Sequence, residues 1–331
     1  MSGLSQLPQN SLLRCREALV KTKNKQMDRI VIITKPTRFE DLITTHLTEG
    51  AAEFTLGLNG QSIEPYRLEH KTYKGALVQI QQQIPNDCNV AFVTRKDIPT
   101  FLFRESDIVI ICGPDGLFAN TAKYLSDQPI ITVNPDPSVR SILMLHSPDK
   151  VGKLILDVQA KKHTLEAVPL LKASVNDGES VVWGINDLFI GRKDHVTAIY
   201  KITFGVDNRT ERQSSSGIIV STGVGSTGWI RSVVEMMKCL GSYGPTCKLA
   251  RLPRPTDKEL VFVVREPFPS PTTGTSLTTG RITPEVSLTV YSEMSKGGCI
   301  FSDGVIEKAV DWNSGSKVVV SVGDRYVQRV V

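Results

Sequence analysis

Apolar residues in the first part of the chain alternate between two patterns, short runs typical of strands and the spacing typical of helices. Residues 29–34 (RIVIIT) form a short β-branched run, which predicts a buried strand. Thr37 and Glu40 then have the spacing of a capping box, so a helix is predicted to start here and to end at Gly50. Downstream, the pattern predicts a helix that has on one face Tyr73, Ala76, Leu77, Ile80 and Ile84. After this helix it predicts strands at 90–93 and 107–112, a helix over 117–125 and a strand at 130–133. This order predicts a parallel sheet with helices on both faces.

After about residue 150 the chain becomes richer in strands. Runs separated by Gly, Pro, Asp and Asn clusters predict strands at 180–190, 197–204, 216–221, 259–264, 285–291 and 317–322. Helices are predicted only at 150–159 and 229–240, and the Pro-, Thr-, Gly- and Ser-rich stretch 267–280 is predicted to be a long loop. The predicted fold class is therefore an α/β N-terminal domain with a parallel sheet plus a mainly β C-terminal domain.

This change from alternating strands and helices to mainly strands also predicts the domain boundaries. Residues 1–28 form an N-terminal extension, and residues 29–150 form an α/β domain that we expect to bind nucleotide or phosphate. Residues 151–315 form the β-rich domain, which we expect to bind substrate.

Composition narrows the class of protein. The chain has 331 residues, of which 40% are hydrophobic and 22% charged, as is typical of globular proteins. It has no run of about 18 apolar residues, and its first 29 residues lack the apolar core of a secretory signal. We therefore expect a cytoplasmic protein with no membrane partner. The formal net charge of +5 is mild and spread along the chain. Small phosphorylated ligands explain it as well as nucleic acid does, and we expect no nucleic-acid partner.

Cysteine and histidine are too scattered to predict a zinc site or a disulfide framework. The six cysteines contain no Cys-x-x-Cys pair, and no two of the five histidines are three or four positions apart. We expect reduced thiols, and the sequence does not identify the ligands of any metal ion.

The first segment with chemical potential is Gly113-Pro114-Asp115-Gly116, between a predicted strand and a predicted helix. The carboxyl edge of a parallel sheet is where ligands bind, and a helix N-terminus attracts phosphate. Gly113 and Gly116 allow a phosphate to approach the backbone, and Asp115 is suited to bind magnesium or to take a proton from a hydroxyl. The alternative interpretation is a Pro-Asp-Gly turn that only joins strand to helix.

The second segment is Asn186-Asp187, which interrupts the alternation of a predicted strand. Adjacent amide and carboxylate groups are suited to hold the two hydroxyls of a ribose. The alternative is the polar end of an edge strand.

The third segment, residues 221–229 (STGVGSTGW), fits Gly-x-Gly-x-x-Gly between a strand and a helix. A dinucleotide fingerprint also needs an acidic residue about 20 positions on, but Glu235 comes too early and Asp257 too late. Ser226 and Thr227 remain candidates to contact a nucleotide, and Trp229 to stack on a base. The alternative is a flexible glycine-serine connector.

Together, the three segments resemble the motifs of the NAD kinases in order and spacing. That family carries the motifs Gly-Gly-Asp-Gly, then Asn-Glu, then Thr-Gly-Ser-Thr-Ala-Tyr. In this sequence, residues 113–116, 186–187 and 225–229 resemble these three motifs in that order. The residues Ser215-Ser216-Gly217-Ile218 and the terminal Trp229 resemble the mitochondrial-type branch of the family. Ser302-Asp303-Gly304 is similar to its late Asp-Gly turn, and the likeness covers about residues 105–325.

The resemblance implies a kinase that uses ATP and magnesium to phosphorylate the adenosine ribose 2′-hydroxyl of NAD. It further implies a homo-oligomer whose last strand, within 316–331, returns to the first domain. Asp115 would be the base or metal-linked acid, and Gly113 and Gly116 would cradle phosphate. Asn186 and Asp187 would hold substrate hydroxyls, and Ser226 and Thr227 would contact the nucleotide.

Three positions depart from the family pattern. Pro114 replaces a glycine and removes a backbone N–H donor from the phosphate loop. Leu117 stands where threonine is common, and Asp187 is one methylene shorter than glutamate. They keep two alternatives to an NAD kinase open: a related protein that binds nucleotide as a regulator, and a kinase of a different nucleoside. A nicotinamide oxidoreductase using Gly223–Gly228 is a third, less favoured hypothesis.

Overall fold

The computed structural model describes residues 29–139, 141–241, 249 and 251–331, so the predicted extension 1–28 lies outside the described residues. The strands are β1 (Arg29–Thr34), β2 (Asn89–Thr94), β3 (Ile108–Cys112), β4 (Pro129–Val133), β5 (Leu165–Val175), β6 (Ser180–Gly184), β7 (Asp187–Arg192), β8 (Ala198–Phe204), β9 (Arg209–Ser215), β10 (Ile218–Ser221), β11 (Leu260–Val264), β12 (Thr279–Ile282), β13 (Leu288–Ser292), β14 (Gly298–Ser302), β15 (Val310–Asp311) and β16 (Lys317–Val330). The α-helices are α1 (Arg38–His46), α2 (Glu49–Leu58), α3 (Glu64–Gln82), α4 (Asp115–Ala122), α5 (Val151–Gln159) and α6 (Trp229–Cys239).

A parallel sheet forms the first part of the molecule, as the sequence predicts. Its strands lie in the order β2-β1-β3-β4, and each neighbouring pair is parallel. Alternate residues of β1 face opposite sides: Val31 and Ile33 pack with α4, whereas Ile30 and Ile32 pack with α3 and α5. Helices cover both faces, which is why β1 and β3 are apolar at almost every position.

The last strand connects the two parts of the chain. Near its end, β16 pairs in parallel with β4 through Gln328 and Arg329, while most of its length pairs antiparallel with β5 and β13. The sequence predicts this strand only over 317–322, and it does not predict β5. The parallel sheet therefore continues into a mixed sheet of ten strands within the described residues. The return of the C-terminal segment agrees with the expectation from the resemblance, and the exact domain boundaries stay a prediction.

A second sheet completes the β-rich part. Its described strands lie in the order β12-β11-β10-β7-β14-β15. Inward-facing residues of this sheet, such as Leu188 and Val220, share one buried cluster with Tyr200 and Val320 of the mixed sheet. The predicted mainly β second part is confirmed, and its core lies between the two sheets.

The structure corrects three local predictions. The strand predicted over 180–190 is two strands, β6 and β7, which belong to different sheets. The first helix ends at His46, with its C-cap at Leu47, which has a positive φ of 67°, and Gly50 lies inside α2, whose N-cap is Thr48. The predicted loop 267–280 ends earlier, because β12 begins at Thr279.

The start of the first helix follows directly from local chemistry. The capping box of α1 is confirmed, since the Thr37 hydroxyl accepts from the Glu40 amide and the Glu40 carboxylate accepts from the Thr37 amide. No helix in the described part of the chain is both long enough and apolar enough to cross a membrane.

The buried carboxylate Asp107 gives a test of the first sheet. It is 0% exposed and accepts from Arg29 through both oxygens, at 2.8 and 2.6 Å. Removing one partner of a buried pair leaves an uncompensated charge, so Asp107→Ala is expected to lower the free energy of unfolding by about 3 kcal/mol in urea titrations. Asp194→Ala is the matched control, because Asp194 forms the same bidentate ion pair with Arg192 but its side chain is 50% exposed. Equal losses for both variants would contradict this account.

Candidate functional site

A cleft opens at the carboxyl ends of β1, β3 and β4. It has a volume of about 440 Å³ and is lined by Lys35, Arg38, Glu69, Tyr73, Gly113–Gly116, Asn134–Asp136, Val139 and Ser141. We call it the strand-edge cleft. The chain leaves β1 toward β2 and leaves β3 toward β4, on opposite sides, so the cleft lies at the point where the strand order reverses. Ligands of open α/β sheets bind at such points.

The first motif forms one wall of this cleft. Pro114 is the N-cap of α4, with φ −78° and ψ 166°, and Asp115 is the first residue of the helix. A side chain at Gly116 would meet no atom within 4 Å, so the backbone here is open to a ligand. The amide of Leu117 donates to Pro114 O at 2.8 Å. No described residue accepts from the amides of Asp115 and Gly116, which are the donors left for an anion.

Asp115 is held by the loop that follows β4. Its carboxylate accepts from the Ser141 hydroxyl, from the Ile142 amide at 3.3 Å and from the Leu143 amide at 3.2 Å. These bonds fix the carboxylate at the wall of the cleft. They also engage both of its oxygens, so any proton transfer to Asp115 must compete with this loop.

The opposite wall of the cleft carries positive charge. Lys35 follows β1 directly, and among the described residues it has no ion pair. Arg38 pairs with Glu69, with 2.5 Å between Nε and Oε2, and lies over the Tyr66 ring. Tyr73 closes the floor, because its hydroxyl donates to Cys112 O at 2.9 Å and accepts from the Lys35 amide at 3.1 Å. The cleft therefore combines Lys35 and the Arg38–Glu69 pair with the N-terminus of α4.

The second motif lies where the chain passes from one sheet to the other. Asn186 separates β6 from β7, and Asp187 begins β7. One carboxylate holds this crossing: Asp303 accepts from the amides of Ile185, Asn186 and Asp187, at 3.1, 2.8 and 3.4 Å to Oδ1. In return, the Asp303 amide donates to Asp187 O at 3.0 Å. Asp303 and Gly304 both have positive φ, which the tight turn requires.

Two acceptor groups of the second motif have no donor among the described residues. Asn186 Oδ1 is buried and accepts no hydrogen bond, and no described residue donates to the Asp187 carboxylate. Buried polar atoms are normally satisfied, so an unpaired one indicates a missing partner. Burial and the nearby Asp303 charge raise the pKa of Asp187 to about 7. Burial also raises the pKa of Asp303, against the effect of Lys123, whose Nζ is 3.6 Å from Asp303 Oδ2.

The third motif packs against the second. The Thr222 amide donates to Asn186 O at 3.0 Å, and its hydroxyl donates to Ile185 O. A Cβ on Gly225 would lie 2.0 Å from Asn186 O, and one on Gly223 would lie 1.6 Å from Arg254 O. These glycines therefore admit other segments of the protein, not a pyrophosphate. Since the preceding β10 is also antiparallel to both neighbours, the structure contradicts the oxidoreductase hypothesis based on Gly223–Gly228.

The remaining candidates of the third motif differ in exposure. Ser226 is half-buried and Thr227 is exposed, both in the short 3₁₀ turn Val224–Thr227. The Trp229 ring stacks on Phe189, with 5.7 Å between centroids, and lies under the Arg265 guanidinium. A base that stacked on Trp229 would have to displace one of these contacts. Contact of these three residues with a nucleotide stays a prediction.

One apolar cluster connects all three motifs. Leu117 and Phe118 of α4, Ile185 beside Asn186, and Val224 of the third motif are buried together. The bulky Leu117 is thus a packing residue of this cluster, not a group that lines the cleft. Asn186, Asp187 and residues 226–229 are not part of the lining of the strand-edge cleft, among the described residues. The structure therefore joins the first motif to the other two through one buried cluster.

Sequence reasoning missed several residues of the site. Lys35, Arg38, Tyr73 and Asn134–Asp136 line the cleft, and Lys123 pairs with Asp303. The signal for Lys35 and Asn134–Asp136 was their position directly after predicted parallel strands, since carboxyl ends of such strands meet at one edge. Arg38, Tyr73 and Lys123 lie on or beside helices and carried no comparable signal.

The sequence has relatives of known name over part of its length. No model of a known protein family matches it. The NAD kinase of Hydrogenovibrio crunogenus is 31% identical over 132 residues, which are 39% of this chain and 45% of that protein. The NAD kinase of Cupriavidus pinatubonensis is 29% identical over 136 residues, which are 39% of this chain and 43% of that protein. The NAD kinase of Saccharophagus degradans is 25% identical over 134 residues, which are 40% of this chain and 46% of that protein. The chain thus matches less than half of each of these relatives.

The fold has a wider likeness. A crystal structure of yeast NADH kinase in complex with NADH superimposes with a TM-score of 0.54 at 14% identity, over 93% of this chain and 84% of that one. This agreement covers both the α/β part and the β-rich part. The chain is thus similar in sequence to NAD kinases over about two fifths of its length, and it shares its fold with yeast NADH kinase over nearly all of its length.

Proposed function

We propose that the chain is an ATP- and magnesium-dependent kinase that phosphorylates the adenosine ribose 2′-hydroxyl of NAD or of a closely related nucleotide. One observation carries the proposal: two adjacent acceptor groups without protein donors, Asn186 Oδ1 and the Asp187 carboxylate, on a loop fixed by Asp303. Two acceptors match the two hydroxyl donors of a ribose. The strand ends at this point, so the rule that adjacent strand residues face opposite sides does not hold the two side chains apart.

The strand-edge cleft is the candidate binding site for the phosphoryl donor. Lys35, Arg38 and the N-terminus of α4 surround a space suited to the phosphates of the donor. Asp115 at the wall is the candidate to take the proton of the attacking hydroxyl. Positioning and charge stabilisation are the main contributions that a protein makes to phosphoryl transfer.

The donor atoms present also fit magnesium. Among the described residues, no group of three His, Cys, Asp or Glu side chains is arranged to hold a metal ion by itself. Magnesium, however, usually binds through one or two carboxylates together with substrate phosphates. Asp115 and Asp136 are the carboxylates at the cleft that would hold it, and the ion would neutralise charge on the transferred phosphoryl group. The kinship with NAD kinases also supports a homo-oligomeric assembly.

A second candidate function is nucleotide binding without phosphoryl transfer. Two observations favour it: Pro114 offers no N–H at the helix N-terminus, and Asp115 is engaged by the 141–143 loop. The ribose-binding groups would be the same for both functions, and the first motif decides between them.

Replacing the candidate base tests this choice. Asp115→Asn is expected to reduce the turnover number by about 10²–10⁴, because a group that acts in the transition state is lost, while NAD affinity stays within a few-fold. The measurement is formation of NADP from NAD, ATP and magnesium. Ser141→Ala is the control: it removes the hydroxyl that donates to Asp115 but keeps the carboxylate. If both variants lose activity equally, Asp115 only anchors the loop.

The proline of the first motif gives a gain-of-function test. Pro114→Gly restores a backbone N–H at the N-cap of α4. A charge-assisted hydrogen bond formed mainly in the transition state contributes about 1.5–3 kcal/mol, so we expect the turnover number to rise about tenfold or more. Thermal unfolding must show that the variant stays folded, because glycine also increases the entropy of the unfolded chain. Unchanged turnover in a folded variant would show that the missing donor does not limit the reaction.

The second motif predicts a pH dependence of binding. Since the pKa of Asp187 is raised to about 7, its carboxyl is protonated below that pH and ionised above it. An ionised carboxylate accepts stronger hydrogen bonds from hydroxyls, so NAD affinity should increase as pH rises through about 7. Isothermal titration calorimetry between pH 5.5 and 8.5 measures this. Asp187→Asn should remove the dependence, whereas Asn186→Ala should weaken binding at every pH and keep its slope. A wild-type affinity that does not change with pH would refute the assignment.

A further inference from the structure

A second, strongly basic cavity lies outside the strand-edge cleft, at the other end of α4. It has a volume of about 140 Å³, and its polar lining consists of Arg95, Lys96, Asn120, Lys123, Tyr124 and Lys308. We call it the basic cavity. Three separate segments build it: the turn after β2, the end of α4 and the 3₁₀ turn Ile306–Lys308. No carboxylate lines it among the described residues.

The positive charge in this cavity is poorly compensated within the protein. Lys123 is 3.6 Å from the buried Asp303 carboxylate, and Lys308 donates to the Tyr124 hydroxyl and lies over the Tyr124 ring. In the described part of the chain, Arg95 and Lys96 form no ion pair. The nearest acidic residue in sequence, Asp97, is bonded to the Thr94 hydroxyl at 2.5 Å. Of the four cations that line the cavity, only Lys123 pairs with a carboxylate of the described residues, and an anion bound among them would relieve their mutual repulsion.

An ordinary solvated basic surface does not explain this arrangement well. A cation at a helix C-terminus is favourable, but that accounts for Lys123 alone. Arg95, Lys96 and Lys308 come from other segments and converge on the same concave space. These three residues are exposed, so water and salt screen part of their mutual repulsion, and an anion held among them would gain favourable contacts with all three.

The volumes of the basic cavity and of its neighbouring cavity limit the size of the ligand that can bind. The volume is below the range of about 300–1,000 Å³ that is usual for whole small-molecule ligands, so the basic cavity fits phosphate groups and not a nucleoside. A second cavity of about 240 Å³ adjoins it, shares Lys123, Tyr124 and Lys308, and is otherwise mostly apolar, with Trp183 and several valines. A nucleoside attached to the phosphates would have room there.

We propose that the basic cavity binds a chain of linked phosphates as a regulatory ligand, either as an inorganic oligophosphate or as the phosphate tail of a nucleotide. Lys123 connects this site to the second motif, because its partner Asp303 holds the amides of Ile185, Asn186 and Asp187. A phosphate that attracts Lys123 would change the support of this loop. The proposal concerns a site separate from the donor cleft and does not depend on the proposed kinase activity.

The test is calorimetric titration of the full chain with sodium triphosphate. The donor cleft is first disabled by Lys35→Ala with Arg38→Ala, so that binding which remains reports the basic cavity. We expect one triphosphate to bind this variant, with an affinity that falls as KCl is raised. Adding Arg95→Ala and Lys96→Ala should weaken it at least about tenfold, since charge-assisted hydrogen bonds are lost. Lys308→Met, from another segment, should weaken it as well.

The matched control removes two exposed cations elsewhere, Lys162→Ala with Arg209→Ala, and should leave the affinity unchanged. The proposal is overturned if the Lys35/Arg38 variant binds no triphosphate, or if the control weakens binding as much as the Arg95/Lys96 variant. A parallel titration with ATP distinguishes the sources: tighter binding than triphosphate assigns a nucleotide, and equal binding assigns the phosphate chain alone. Loss of kinase activity in the Lys35/Arg38 variant would bear only on the donor cleft.

Discussion

The Asp303 carboxylate is the interaction on which the candidate substrate site depends. The chain leaves one sheet at Gly184 and enters the other at Asp187, so the amides between them have no strand to pair with. One buried carboxylate satisfies these amides, and its own charge is offset by Lys123. Breaking the strand at this point is costly without such a partner. With it, Asn186 lies between the two strands, outside the cross-strand register, and Asp187 begins β7 opposite Ser221.

The two functional regions are arranged around a shared core, not in one continuous lining. Leu117, Ile185 and Val224 are buried together, each within a few residues of one motif. A ligand that reaches both regions must therefore extend beyond the lining of the strand-edge cleft toward Asn186. Phosphates at the first region and a ribose at the second are consistent with such a path.

Local chemistry made part of the fold predictable from the sequence. β1, β3 and the capping box at Thr37 depend on neighbouring residues, and the structure has them where the pattern places them. The passage from one sheet to the other at Ile185–Asn186 was not predictable in this way: the sequence shows only a polar interruption there, and the bonds to the distant Asp303 that hold the crossing depend on the tertiary fold. The same holds for the site: Asp115 and Asn186-Asp187 were recognisable as motifs, whereas Arg38 and Lys123 gain their positions from tertiary contacts.

The close approach of Gly225 to Asn186 O links two segments that are 39 positions apart in sequence. No side chain fits between them, so the glycine turn and the ribose-binding loop cannot change independently. Among related sequences, substitutions in these two segments should therefore occur together. Redesign of the pocket for a different nucleoside would similarly have to exchange both segments as a single unit.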